Sequence, residues 1–155
     1  MRKYLPVVGI TLMLLAIAVG LGRKDESPTS DSILACCHTP AELAKLKKYA
    51  LSEPSGEAAY ALAGYFDYNK RADSAGILSW YREAASKGHV EAQLTVGRAL
   101  ARQALGACFD KAKADEARLW FNKSLRTPHS SAIQVHQSLA RLDKAEAEDY
   151  ACKTE

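Results

Sequence analysis

Two segments of this chain carry almost the same pattern. Ile77-Leu78-Ser79-Trp80-Tyr81-Arg82-Glu83-Ala84-Ala85 and Ala117-Arg118-Leu119-Trp120-Phe121-Asn122-Lys123-Ser124-Leu125 each place an aliphatic residue, an aromatic pair and a small residue at helical spacing. A repeat of this length constrains the fold strongly: one unit cannot bury its apolar face alone, so units must stack. Gly64 and Gly97 lie 33 residues apart, as do Ala59 and Ala92, whereas Trp80 and Trp120 lie 40 apart. Gly64 precedes Trp80 by 16 residues and Gly97 precedes Trp120 by 23. The second unit therefore carries a seven-residue insertion, placed between Arg102 and Lys113. Ala92 to Ala132 is again 40, so a third unit starts at Ser131. The expected fold is all-α, a short α-solenoid of about two and a half helix-turn-helix repeats.

Periodicity inside the units agrees. Ala59, Leu62, Ala63 and Phe66 follow the i, i+3, i+4, i+7 spacing, as do Ile77, Trp80, Tyr81 and Ala84, and then Ala117, Trp120, Phe121 and Ser124. Each set paints one apolar stripe on a helix. Both tryptophans are assigned to the core. Ala63, Gly64 and Gly97 are read as points of close helix approach, which offsets the roughly 1 kcal/mol that glycine costs inside a helix. Gly88 suits a left-handed helix end. Ahead of the repeats, Thr39, Pro40 and Glu42 form a capping box with proline in the first turn, opening a helix whose apolar face is Leu43, Leu46, Ala50 and Leu51. Pro54 and Gly56 then interrupt the chain. Lys144 to Tyr150 is charged and helix-prone, a polar cap over the last unit.

The run from Trp80 to Gln93, with Trp80-Tyr81, Ala84-Ala85, Gly88-His89 and Ala92-Gln93 at its marked positions, resembles the Sel-one-like repeat, a relative of the tetratricopeptide repeat. The resemblance covers roughly residues 57–142. The second unit departs from it, with Ser124, Leu125 and Pro128 where Ala, Ala and Gly are expected. Asn69-Lys70-Arg71-Ala72-Asp73 replaces the Gly-x-Gly-Val turn. The resemblance implies an α-solenoid and an interaction role. It implies no particular ligand.

The N-terminus sets the expected compartment. Arg2 and Lys3 precede an uncharged, mostly apolar run from Leu5 to Gly22, with Ala16-Ile17-Ala18 or Ala18-Val19-Gly20 as cleavage sites. Residues 1–22 are read as a signal peptide or membrane anchor, 23–38 as a polar tether carrying a cysteine pair, and 39–155 as the helical repeat domain. Localisation is then periplasmic or secreted, with anchoring to the inner membrane if the segment is retained. The chain has 21 basic and 18 acidic residues, a net charge of +3. Arg2 and Lys3 supply two of those basic residues, so the exported part is nearly neutral and has no basic stripe for nucleic acid. Lys45, Lys47 and Lys48 fit the solvated face of a helix.

In an oxidising compartment Cys36, Cys37, Cys108 and Cys152 read as disulfides. Neighbouring cysteines rarely bridge each other, because the small ring strains the peptide between them, so Cys108 and Cys152 are each expected to take one of Cys36 and Cys37, with a free thiol or an intermolecular bond as the alternative. Cys108 lies in the insertion, which its bond would pin. Cys36-Cys37-His38 lacks the spacing of a zinc knuckle or a haem attachment site, and no metal or other cofactor is expected. His89 is read as a turn residue, and His129 and His136 as surface or partly buried. No catalytic or phosphate-binding motif occurs.

The expected function is that of an exported protein-binding module, an immunity or adaptor protein for a secreted or envelope protein. The alternatives are an anchored envelope assembly factor and a penicillin-binding or hydrolytic enzyme. Aligning Gly64, Gly97 and Gln137 across the units gathers Tyr65, Tyr68, Leu94, Arg98, Gln134 and Arg141 on the first helix of each, the face expected to meet the partner protein. Tyr and Arg are the types enriched at interface hot spots.

Overall fold

A computed structural model describes residues 39–69 and 72–148. Six helices account for most of them: α1 Pro40–Ser52, α2 Glu57–Asn69, α3 Ser74–Ser86, α4 Val90–Ala104, α5 Lys111–Ser124 and α6 Ala132–Ala147. There is no strand among the described residues, only an isolated bridge between Leu105 and Phe109. The all-α expectation holds. Residues 1–22 and 23–38, read above as targeting segment and tether, lie outside the described residues. No helix among the described residues is long and apolar enough to cross a membrane.

The helix ends follow from local chemistry. Glu42 N–H donates to the Thr39 hydroxyl at 3.3 Å and Thr39 N–H donates to the Glu42 carboxylate at 3.0 Å, which completes the capping box. The Glu53 carboxylate accepts from the N–H groups of Ser55 and Gly56, at 2.6 and 3.0 Å, and so turns the chain into α2. Gly56 has φ +82°, and a Cβ there would lie 2.6 Å from the carbonyl oxygen of Ala84. At the end of α3, Gly88 has φ +96°. Its N–H donates to Ala85 O and that of His89 donates to Ala84 O, both at 3.1 Å, the paired bonds of a Schellman ending.

Each helix packs on the next in sequence, and α4 also meets α6. The core holds Leu62, Leu94, Val96, Leu100, Phe121, Val135 and Leu142 among many alanines. Alanine at so many contacts brings backbones near one another, which suits helices that fit as units rather than as isolated amphipathic rods. At Gly97, α4 comes close to α5. A Cβ on Gly97 would sit 2.7 Å from the Phe121 ring. Gly64, its counterpart in the first unit, has nothing within 4 Å of that position, so the close-approach expectation holds for Gly97 and not for Gly64. Trp120 is buried, whereas Trp80 is half-buried and stacks on Phe66 with ring centroids 6.5 Å apart. Leu51, assigned to the apolar face of α1, is 56 % exposed, because α1 meets only one neighbour closely and buries a narrow stripe.

The seven-residue insertion is distributed rather than looped out. Beyond Gly97, α4 runs two residues further than α2 does beyond Gly64. The α4–α5 connection is two residues longer than the α2–α3 connection, and α5 gains three residues ahead of its tryptophan. Ser124, which replaces the expected alanine, is fully buried, and its hydroxyl donates to Phe121 O at 2.7 Å. That back-bond satisfies the hydroxyl inside the core.

Candidate functional site

Helices α2, α3, α4 and α6 border a row of three adjoining cavities. One lies at the α2–α3 corner against α4, about 260 Å³, with Ile77, Leu78 and Tyr81 on one wall and Arg102 on the other. Burial, with the Tyr60 ring and the Asp67 charge nearby, pushes the Tyr81 hydroxyl above its ordinary pKa. Arg102 also lines the middle cavity, about 420 Å³, with Arg98, Ala101, Leu105, Ser138 and Arg141. Leu105 and Arg141 continue into the third, about 370 Å³, beside Phe109, Lys144 and Glu148. Shared residues make the three one open groove that crosses α4 and reaches α6.

Helical spacing explains the arginine cluster. Arg98 and Arg102 are four residues apart on α4 and so project side by side, and Arg141 projects from α6 across the contact between the two helices. All three are exposed, and none makes an ion pair among the described residues. The second helices differ. Arg82 on α3 donates to Glu116 on α5 at 3.0 Å. Arg118 on α5 is held by Asp115 at 2.9 Å and, from α6, by Asp143 at 3.0 Å and Glu146 at 2.8 Å. The acids of α6 are thus spent on α5, and its Arg141 is left facing the groove.

Of the six residues expected to form a contact face, the structure brings Arg98 and Arg141 together. Tyr68 is 85 % exposed and Gln134 is exposed, but neither lines any of these three cavities. Tyr65 and Leu94 are core residues, 3 % and 0 % exposed, and so do not belong to an open face. The reason is geometric: α2 and α4 are packed on at least two sides and bury a wider arc than one stripe. Arg102, and Ser138 at the position aligned with Tyr65 and Arg98, are cavity residues left out of the expected face. The i, i+4 pair of like charges, Arg98 and Arg102, was the available signal.

His89 does more than turn the chain. Its Nδ1 accepts from Ala92 N–H at 3.2 Å, its Nε2 lies 2.9 Å from the Glu57 carboxylate, and its ring stacks on Tyr60 at 4.3 Å. It caps α4 and ties it to the start of α2. His129 is partly buried, with both ring nitrogens unpartnered, and His136 is exposed. Cys108, in the α4–α5 connection, is disulfide-bonded. Cys36, Cys37 and Cys152 lie outside the described residues. Among the described residues no group of three or more His, Cys, Asp or Glu could hold a metal ion.

Fold and groove together define an all-α protein with a cationic cleft between its first helices. No family model, no curated protein and no solved structure matches the chain.

Proposed function

We propose that this chain is an exported protein-binding module, a short α-solenoid of the Sel-one-like type that holds a segment of another protein along its first helices. The observation that carries the reading is the groove: three cavities joined end to end through Arg102, Leu105 and Arg141. An elongated, open cleft suits an extended chain better than a compact small molecule, which favours an enclosed pocket. The apolar run after Arg2 and Lys3, together with four cysteines, supports an exported location. An immunity or adaptor role for a secreted or envelope protein fits these features.

The test is affinity capture from envelope extracts with the mature protein as bait, followed by direct binding of the purified partner. A partner bound one-to-one with a dissociation constant in the micromolar range or tighter would support the reading. Absence of any partner from extracts of cells expressing the protein at its natural level would overturn it.

A further inference from the structure

We propose that the middle cavity takes carboxylate side chains of the partner segment, with Arg98, Arg102 and Arg141 as the anion-binding groups. This inference rests on the protein-binding reading and names the partner's chemistry: an acidic peptide segment with apolar neighbours.

Three guanidinium groups from two helices line one cavity that has no carboxylate in its wall. Like charges at i, i+4 repel, so Arg98 beside Arg102 is unfavourable for the helix on its own terms. The fold has acids at hand and does not use them here. Asp143 and Glu146 of α6 pair with Arg118, and Glu116 of α5 pairs with Arg82. The counter-charge of the cavity is therefore left to come from outside the domain. Guanidinium is the group that matches carboxylate geometry, since its planar fork donates two parallel bonds to the two oxygens.

The surroundings decide which anion. Asp67 stands in the cavity on one side and Glu148 in the cavity on the other. Positive charge is densest at the centre of the groove; in the third cavity Lys144 pairs with Glu148 at 3.6 Å, and Asp67 stands in the first. A nucleic acid carries charge along its whole length and would meet Asp67 at one end, whereas a peptide can place its carboxylates centrally and something else at the flanks. The flanks offer Ile77, Leu78 and Tyr81 at one end and Leu105 and Phe109 at the other. They suit apolar side chains on either side of the acidic positions.

The experiment uses the full chain in its oxidised form. The probes are a fluorescein-labelled peptide of alternating Glu and Leu, its Gln and Leu counterpart, and an oligothymidylate of similar length, read by anisotropy. The expected result is binding of the Glu peptide at least about tenfold tighter than the Gln peptide, as for charge-assisted pairs. That preference is lost in Arg98→Gln with Arg141→Gln and kept in Arg126→Gln, a control outside the groove. All the substituted side chains are exposed, and equal melting curves will show that the variants fold. No preference for Glu over Gln, a preference that survives in the double variant, or tighter binding of oligothymidylate through the same arginines would each overturn the inference. If the double variant still captures the cellular partner, the protein-binding reading stands and this cavity is removed from it.

Discussion

The sequence pattern aligns Gly64 with Gly97, yet their surroundings are opposite. Phe121 fills the space that Gly97 leaves open, so Gly97→Ala must displace an aromatic ring fixed in the core. The expected loss is about 1–3 kcal/mol, the usual cost of overpacking. Gly64→Ala meets nothing within 4 Å and removes a flexible residue from a helix, so it should stabilise by up to about 1 kcal/mol. Urea unfolding of both variants checks the pair, and equal signs would contradict the account. The tryptophans divide in the same way. Trp120→Ala should cost about 3–5 kcal/mol, and Trp80→Ala clearly less, because Trp80 is only half-buried. Sequence spacing made both tryptophans equal. It marks a helix stripe but does not report how many neighbours the helix has. That missing count also put Tyr65 and Leu94 on a surface when they belong to the core.

At the level of elements, the junctions were the most legible part of the sequence. The capping box at Thr39, the break at Gly56 and the left-handed end at Gly88 all stand where residue chemistry placed them, because each depends on a few adjacent residues. The tie from His89 to Glu57 was not legible, since it joins residues 32 apart in the chain. Several junctions are sensitive to acid. Partial burial raises the Glu53 pKa, but hydrogen bonds from Ser55 and Gly56 outweigh it and leave the carboxyl below its ordinary 4.5. The hydrogen bond from Lys113 lowers Asp110, the cap of α5, and that from Lys111 lowers Glu146 on α6. Groups with depressed folded-state values stabilise above their unfolded values and lose that contribution as protons bind. Melting temperature should therefore hold from neutral pH to about 5 and fall as pH drops through 4.5 and below. Glu53→Gln should shrink that fall, and an unchanged profile would argue against the role of this turn. The connection that bears Cys108 supplies another prediction. Non-reducing peptide mapping of the oxidised protein should recover Cys108 joined to Cys36 or Cys37, and Cys108→Ser should cost about 2–5 kcal/mol. Recovery of Cys108 with Cys152 would overturn that pairing.

For the molecule as a whole, an all-helical architecture could be read from the repeats, and the groove could not. Two of its three arginines were singled out, but the cavity wall is free of acids because Asp143 and Glu146 of α6 pair with Arg118 of α5. Nothing in the local sequence of α6 says which side its acids face. Near-neutral charge outside residues 1–22 hid the cluster as well, since composition averages Arg98, Arg102 and Arg141 with carboxylates that lie elsewhere.

Lys87 carries a consequence for the order in which the chain folds. Its ammonium donates to the carbonyls of Ala50 and Leu51, at 2.6 and 2.9 Å, and so closes the end of α1 from the end of α3. A chain that emerges N-terminus first has made all of α1 before Lys87 appears. Until then the Ala50 and Leu51 carbonyls have only water to bond, and this 13-residue helix is too short to persist unsupported. Pulse-labelled hydrogen exchange during refolding should therefore protect the amides of α1 no earlier than those of α3. Lys87→Met should delay them further while leaving α4 and α5 on schedule.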